Sequence, residues 1–302
     1  MEQGYHIPVL LKESVDGLNI KPDGVYVDLT FGGGGHSKEI LSRLNEQGKL
    51  IVFDQDDDAY QNRPNDERLY FVRHNFQYLS HFLKYLGVDQ VDGILGDLGV
   101  SSHHFDAADR GFSFRFDGKL DMRMGQGLTV TAADIVNTYA IEDMKRIFWQ
   151  YGEIKSSFKL ASEIAKERAD KPFVTTTDLK LLAEKIGPKK EQSKFLAQVF
   201  QALRIEVNKE MDVLKSVLMQ SASVIKSGGR LSVISYHSLE DRLVKNFVRS
   251  GDCDKNQADK DLFGNSDVPF KAVNRKIIIP NEKEIEMNNR ARSAKLRIAE
   301  RL

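Results

Sequence analysis

Residues 25–37, VYVDLTFGGGGHS, decide the fold of this chain. Val25, Val27 and Leu29 have the spacing of a buried strand, and Ser37 opens an amphipathic helix, SKEILSRL, with Ile40, Leu41 and Leu44 on one side. The four glycines between them allow positive φ and let backbone N–H groups approach a ligand closely. A second strand pattern, KLIVFD, follows and ends in Asp54. An acid about twenty residues past the glycines is where a dinucleotide-type fold binds ribose hydroxyls. The stretch therefore predicts a strand, a ligand-binding turn and a helix, with Asp54 completing a nucleotide-like site.

The glycines alone do not choose the ligand. A phosphate-binding Walker loop requires Gly-Lys-Ser/Thr, and His36-Ser37 stand there instead. A nicotinamide dinucleotide fits less well, because Ser37 occupies the position of the third fingerprint glycine. Both a nicotinamide-dependent oxidoreductase and a turn that merely packs a helix on a sheet remain open on these residues.

Working outward, residues 25–97 alternate strand and helix, through YFVRHNF, FQYLSHFLKYLG and VDGILGD. Strands separated by single helices predict a parallel sheet with right-handed crossovers. The rhythm stops near Phe105, and helical segments centred on 131–151, 156–170 and 177–186 take over; the last has a threonine N-cap and a Gly-Pro stop. One long helical pattern then carries Leu196, Val199, Phe200, Leu203, Val207, Leu214 and Leu218. RLSVIS restores the strand pattern, SLEDRLVKNFV predicts a helix with a capping box from Ser238 to Asp241, and RKIIIP and AKLRIAE read as the last strands. The expected fold class is α/β: a doubly wound, Rossmann-like sheet (1–105 and 193–302) interrupted by an inserted helical domain (106–192).

Lys plus Arg and Asp plus Glu both number 44 in 302 residues, so any polyanion must be met by a local basic patch. The single cysteine, Cys253, has no internal partner, which fits a reducing cytoplasm. No apolar run approaches the roughly 20 residues that span a bilayer, and the N-terminus lacks the charged start of a signal peptide. A cytoplasmic location with no membrane partner is expected.

In open parallel sheets ligands bind outside the carboxyl ends of strands, where Gly32–His36, Asp54–Asp56 and Asp97–Ser102 converge. Asp97 at a strand end can accept a hydrogen bond from an amine and orient its lone pair, or simply cap the next turn. Phe76 is placed to pack on an adenine ring, or in the core. In RGFSFRFDGKLDMRM, residues 110–124, Phe112, Phe114 and Phe116 alternate with basic and small residues. They fit either base-stacking platforms or one buried strand face. His103, His104, Asp106 and Asp109 lack a second ligand cluster, so no metal is expected. Arg290, Arg292, Lys295 and Arg297 form a basic group suited to phosphates or to a solvated edge.

HIPVLL, DLTFGGGGHS, FDQD, GILGDLGVSS, RGFSFR with LDMRM, FQALRIEVN, SYHSLEDRLVK and NNRARSAKLR occur in this order from residue 6 to 297. Together they resemble the bacterial small-subunit ribosomal RNA (cytosine-N4)-methyltransferase family of RsmH or MraW type. The resemblance implies S-adenosyl-L-methionine as cofactor, a cytosine in the decoding region of 16S ribosomal RNA as acceptor, and substrate recognition by the inserted domain. It implies cofactor contacts at Gly34, Gly35, His36, Asp54, Phe76, Asp97 and residue 104. The family commonly shows Pro-Gln after GVSS, whereas this chain has His103-His104, and an imidazole replaces only one of an amide's two hydrogen-bonding roles. Asp97 is the candidate catalytic residue. Phe112, Phe114, Tyr236, His237, Arg290 and Arg292 are candidate RNA contacts. A noncatalytic RNA-binding assembly factor is the rival reading. Free RNA or the small ribosomal subunit both remain open as partners, as does the oligomeric state, with a homodimer among the options.

Overall fold

The computed structural model describes residues 8–99, 108–125, 127–258 and 267–302. The chain divides into two compact units, Met1–Gly99 with Met211–Leu302, and Val100–Glu210. The first is built on a seven-stranded sheet of β1 (Val25–Asp28), β2 (Lys49–Phe53), β3 (Leu69–Val72), β4 (Val91–Asp97), β5 (Ile225–Ser235), β6 (Phe270–Ala272) and β7 (Lys295–Arg301). The order is β3-β2-β1-β4-β5-β7-β6, parallel from β3 to β5, with β7 antiparallel to both its neighbours. This is the doubly wound, Rossmann-like sheet that the sequence predicted. Leu50, Ile51, Val52 and Phe53 are buried without alternation, as befits a central strand covered on both faces. The strand order reverses between β1 and β4, which opens a crevice at their carboxyl ends. Helices α1 (Leu11–Gly17), α2 (Gly35–Arg43), α3 (Asp57–Gln61) and α4 (Leu79–Tyr85) belong to the first half of this unit.

The second unit holds α5 (Ala132–Thr138), α6 (Ile141–Gln150), α7 (Ser157–Asp170), α8 (Thr176–Ile186) and α9 (Gln192–Asn208). The segment centred on 131–151 is thus two helices, each with its own start, α5 being opened by a Thr131–Asp134 capping box. Thr175 caps α8 as expected, reciprocally with Asp178. Phe148, Leu160, Ile164, Leu179, Val199 and Leu203 share one apolar cluster, so α9 belongs with the helices before it. The unit consequently runs to Glu210, beyond the boundary of 192 expected from the sequence.

The motifs RGFSFR, LDMRM and FQALRIEVN meet inside this unit. Met122 is buried in a left-handed conformation, φ 63°, which is costly for a side chain of that length. It is held at both ends: its N–H donates to Arg110 O at 3.0 Å, and its carbonyl accepts from Asn208 Nδ2 at 2.8 Å. Asn208 Nδ2 also donates to Arg204 O at 2.9 Å, while Asn208 Oδ1 accepts from Met124 N at 2.8 Å. Replacing Asn208 with Ala strands a buried carbonyl and a backbone N–H. Asn208→Ala is expected to destabilise this unit by about 2–3 kcal/mol. Denaturant unfolding followed by Trp149 fluorescence checks this; an unchanged midpoint would dismiss the clamp.

The expected single helix from Leu196 to Leu218 breaks at Lys209, whose φ of 52° ends α9 before α10 (Glu210–Val224) begins. Helix α11 (Ser238–Ser250) is capped one residue earlier than predicted, by His237 paired with Glu240, because imidazole Nδ1 supplies the acceptor assigned to the Ser238 hydroxyl. The last strands also differ. AKLRIAE is β7, but RKIIIP contributes only an isolated bridge between Ile278 and Leu296, and β6 lies earlier. Pro280 follows so closely that the segment cannot extend its ladder. A last helix, α12 (Glu282–Met287), precedes β7.

Candidate active site

The glycine loop leaves β1 and enters α2. Gly34 is its N-cap at φ 73°, and its N–H closes the turn on Phe31 O at 2.7 Å. Gly35 opens the helix directly against Pro8: a Cβ there would fall 2.1 Å from Pro8 Cγ. Asp28, at the end of β1, is fully buried and accepts from Ser37 Oγ at 2.6 Å and from Thr30 N at 3.0 Å. Burial raises its carboxyl pKa, against the lowering effects of His36 and these hydrogen bonds.

Asp54 ties the end of β2 to the loop. Its Oδ2 accepts from Gly32 N at 2.8 Å and its Oδ1 from Asp56 N at 2.9 Å. Beside it, a Cβ on Gly32 would meet no atom within 4 Å, which marks open space over the loop. Phe76 follows β3 in a short 3-10 turn, Phe76–Tyr78, and is only half-buried, leaving ring surface for an adenine. These features suit the adenosine half of the cofactor.

Asp97 ends β4 at the switch point. Its N–H donates to Thr30 Oγ1 at 2.7 Å, its Oδ1 accepts from the Tyr236 hydroxyl at 2.7 Å, and its Oδ2 lies 3.8 Å from His36 Nδ1. The side chain is 17% exposed. Burial pushes its pKa up to about 6; His36 and the Tyr236 hydrogen bond oppose that rise, while Asp28 and Glu240 add to it.

The other expected residues are distributed differently. His104, with its departure from the family pattern, lies outside the described residues, as do His103 and Asp106. Phe112 is 4% exposed inside the helical cluster, which corrects its reading as a stacking platform. Phe114 packs edge-on against Phe200, with centroids 5.6 Å apart, whereas Phe116 is 52% exposed. These three do not form a strand face either: among the described residues the segment's one strand-type bridge is Lys119–Thr175, beyond the aromatics. Tyr236 joins Asp97, and His237 caps α11 with its Nε2 3.2 Å from Glu240 Oε1, a structural engagement instead of an exposed RNA contact. In the C-terminal basic group Arg297 is bound by both oxygens of Asp241, at 2.7 and 3.1 Å, while Arg290 and Arg292 are exposed. Sequence reasoning missed Thr30 and Glu240, which act through Asp97 and Tyr236. Only their proximity in the fold shows it.

The model of the MraW methylase family matches residues 3–302. The chain is 58% identical over 300 residues to a protein of Bacteroides thetaiotaomicron named ribosomal RNA small subunit methyltransferase H, covering 99% of this chain and 98% of that one. It is 56% identical over 298 residues to the protein of the same name from Christiangramia forsetii, again covering 99% and 98%. No helix among the described residues is long and apolar enough to cross a membrane. A glycine loop, an acid at the end of β2 and a strand-end carboxylate at the switch point are thus carried by a chain that belongs to the MraW methylase family.

Proposed function

We propose that this chain transfers a methyl group from S-adenosyl-L-methionine to the exocyclic N4 amine of a cytosine in the decoding region of 16S ribosomal RNA. The observation that carries the reading is Asp97, a nearly buried carboxylate held at the carboxyl end of β4 beside the glycine loop. Gly34, Gly35, His36, Asp54 and Phe76 would hold the cofactor, which supplies a methyl on a cationic sulfur. Asp97 accepts a hydrogen bond from the amine, turns its lone pair toward the methyl and takes the proton that the nitrogen sheds. Positioning carries most of the rate, because the leaving thioether is neutral. Burial of Asp97 excludes water that would otherwise compete for its oxygens.

The base must leave its stack to reach this depth. We assign the helical unit, which carries the exposed Phe116, to substrate recognition. Nucleoside mass spectrometry of 16S RNA from a deletion strain tests the reading. One N4-methylcytidine is expected to vanish, and to return when purified protein and S-adenosylmethionine are added. An unaltered nucleoside profile would overturn it, and loss without restoration by active protein would favour an assembly factor.

RNA binding is expected to be salt-sensitive despite zero net charge, since phosphate contacts release counterions. Changing Arg290 and Arg292 together to Ala should flatten the slope of log affinity against log salt by about 1.4 if both meet single-stranded phosphates. Donor affinity should stay as it was. An unchanged slope in filter binding would place both arginines off the RNA path.

A further inference from the structure

Tyr236 has a conspicuous setting. Its backbone N–H donates to Glu240 Oε2 at 2.8 Å, its hydroxyl donates to Asp97 Oδ1, and its ring covers Gly99. A Cβ on Gly99 would stand 3.1 Å from Tyr236 Cδ2, and Gly99 has φ 116°, so the loop after β4 is shaped to receive the ring. The phenol is held at both ends and across its face. Its strand neighbours are held as well, since Leu98 N–H donates to Ile234 O at 2.9 Å.

The second oxygen of Asp97 is treated differently. His36 Nε2 lies 3.1 Å from Val9 O, and a carbonyl only accepts, so the ring proton sits on Nε2. In the neutral ring, Nδ1 then faces Asp97 Oδ2 as a second acceptor, 3.8 Å away and beyond hydrogen-bond reach. Among the described residues no donor is within hydrogen-bond distance of Oδ2. One oxygen is engaged and the other is kept available.

We infer that Tyr236 is a positioning residue for methyl transfer: by engaging Oδ1 it presents Asp97 Oδ2 to the substrate amine. The inference rests on the role proposed above for Asp97. As the nitrogen–methyl bond forms and the methyl–sulfur bond breaks, the sulfur keeps the departing electron pair. The N–H proton passes to Oδ2, and its bonding pair stays on nitrogen. Four groups bear on the carboxylate: His36 from α2, Asp28 from β1, Tyr236 from the end of β5 and Glu240 from α11. Of these, the Tyr236 hydroxyl favours its charged form by its hydrogen bond, and His36 does so through charge when its ring is protonated.

Tyr236→Phe in the full chain is the test, because it keeps the ring over Gly99 and removes only the hydroxyl. Without cofactor or RNA, carboxyl carbon NMR of aspartate-labelled protein should show the Asp97 titration, about 6 in the parent, move upward by about one pH unit. Asp97→Asn identifies the resonance. In single-turnover methylation the acid limb should move up equally, with the rate recovering to within a few-fold of the parent above pH 8. An unchanged carboxyl titration would overturn the coupling. A moved titration with an unmoved acid limb would show that the coupling is real and catalytically irrelevant, overturning the positioning role. A parental rate in Asp97→Asn would overturn the functional reading itself, whatever the NMR shows.

Discussion

Asp97→Asn is expected to slow the chemical step by about 100-fold or more, the range typical of deleting one electrostatic contact at a reacting centre. Asn preserves the shape and can still take the Tyr236 hydrogen bond through its amide oxygen. It cannot carry negative charge opposite an amine that is becoming positive, and it cannot accept the proton. The effect should fall on kcat with a smaller change in RNA affinity, and donor affinity should fall modestly if, as proposed, the same strand end faces the cofactor. Single-turnover methylation at saturating donor and RNA isolates the step. The parent should also show an acid limb. Asp97 is raised to about 6, chiefly by burial, so the ionised form is lost as pH falls through that value and activity falls with it. The variant has no carboxyl there to titrate, so its residual activity should lack this limb. Parental rates in the variant would reduce Asp97 to a turn cap.

Asp54→Ala is expected to weaken S-adenosylmethionine binding by about 100-fold or more. In the proposed binding mode, two charge-assisted hydrogen bonds to ribose hydroxyls would contribute roughly 1.5–3 kcal/mol each, and both would vanish. The structure adds a second loss: the same carboxylate accepts from Gly32 N and Asp56 N, so its removal also releases the glycine loop from the end of β2. Calorimetry reads the affinity, and a thermal melt of the unliganded protein reads the loosened loop. Full affinity with a lowered melting temperature would make Asp54 a loop tether and nothing more.

Much of the sheet unit was legible because its signals are local. Apolar runs with turn residues at their ends mark β1, β2 and β4 at Val25–Asp28, Lys49–Phe53 and Val91–Asp97, and a strand end can be read without knowing what lies beside it. The helical unit was legible in its capped helices and less so in its extent. Whether α9 sides with one core or the other depends on which apolar residues surround Val199 and Leu203, and those come from α5 to α8. The aromatic alternation of Phe112, Phe114 and Phe116 suggested a strand face, but burial falls steadily from Phe112 to Phe116 and does not alternate, which only the packing around the segment decides.

The sequence by itself determined the α/β sheet, the glycine loop, Asp54 and Asp97, because backbone conformation and strand-end placement follow from residues within a few positions of one another. Only the tertiary structure decided what Tyr236 does. It lies far along the chain from Asp97, and no periodicity predicts that its hydroxyl meets Oδ1 at 2.7 Å. That meeting arises because β5 pairs beside β4, with Asp97 opposite Ile234 two residues before Tyr236. Burial then does the rest: a carboxylate whose pKa would be ordinary in water is raised once β1, α2 and α11 close around it. Desolvation and cross-strand register are properties of the packed fold, and the site's chemistry resides in them.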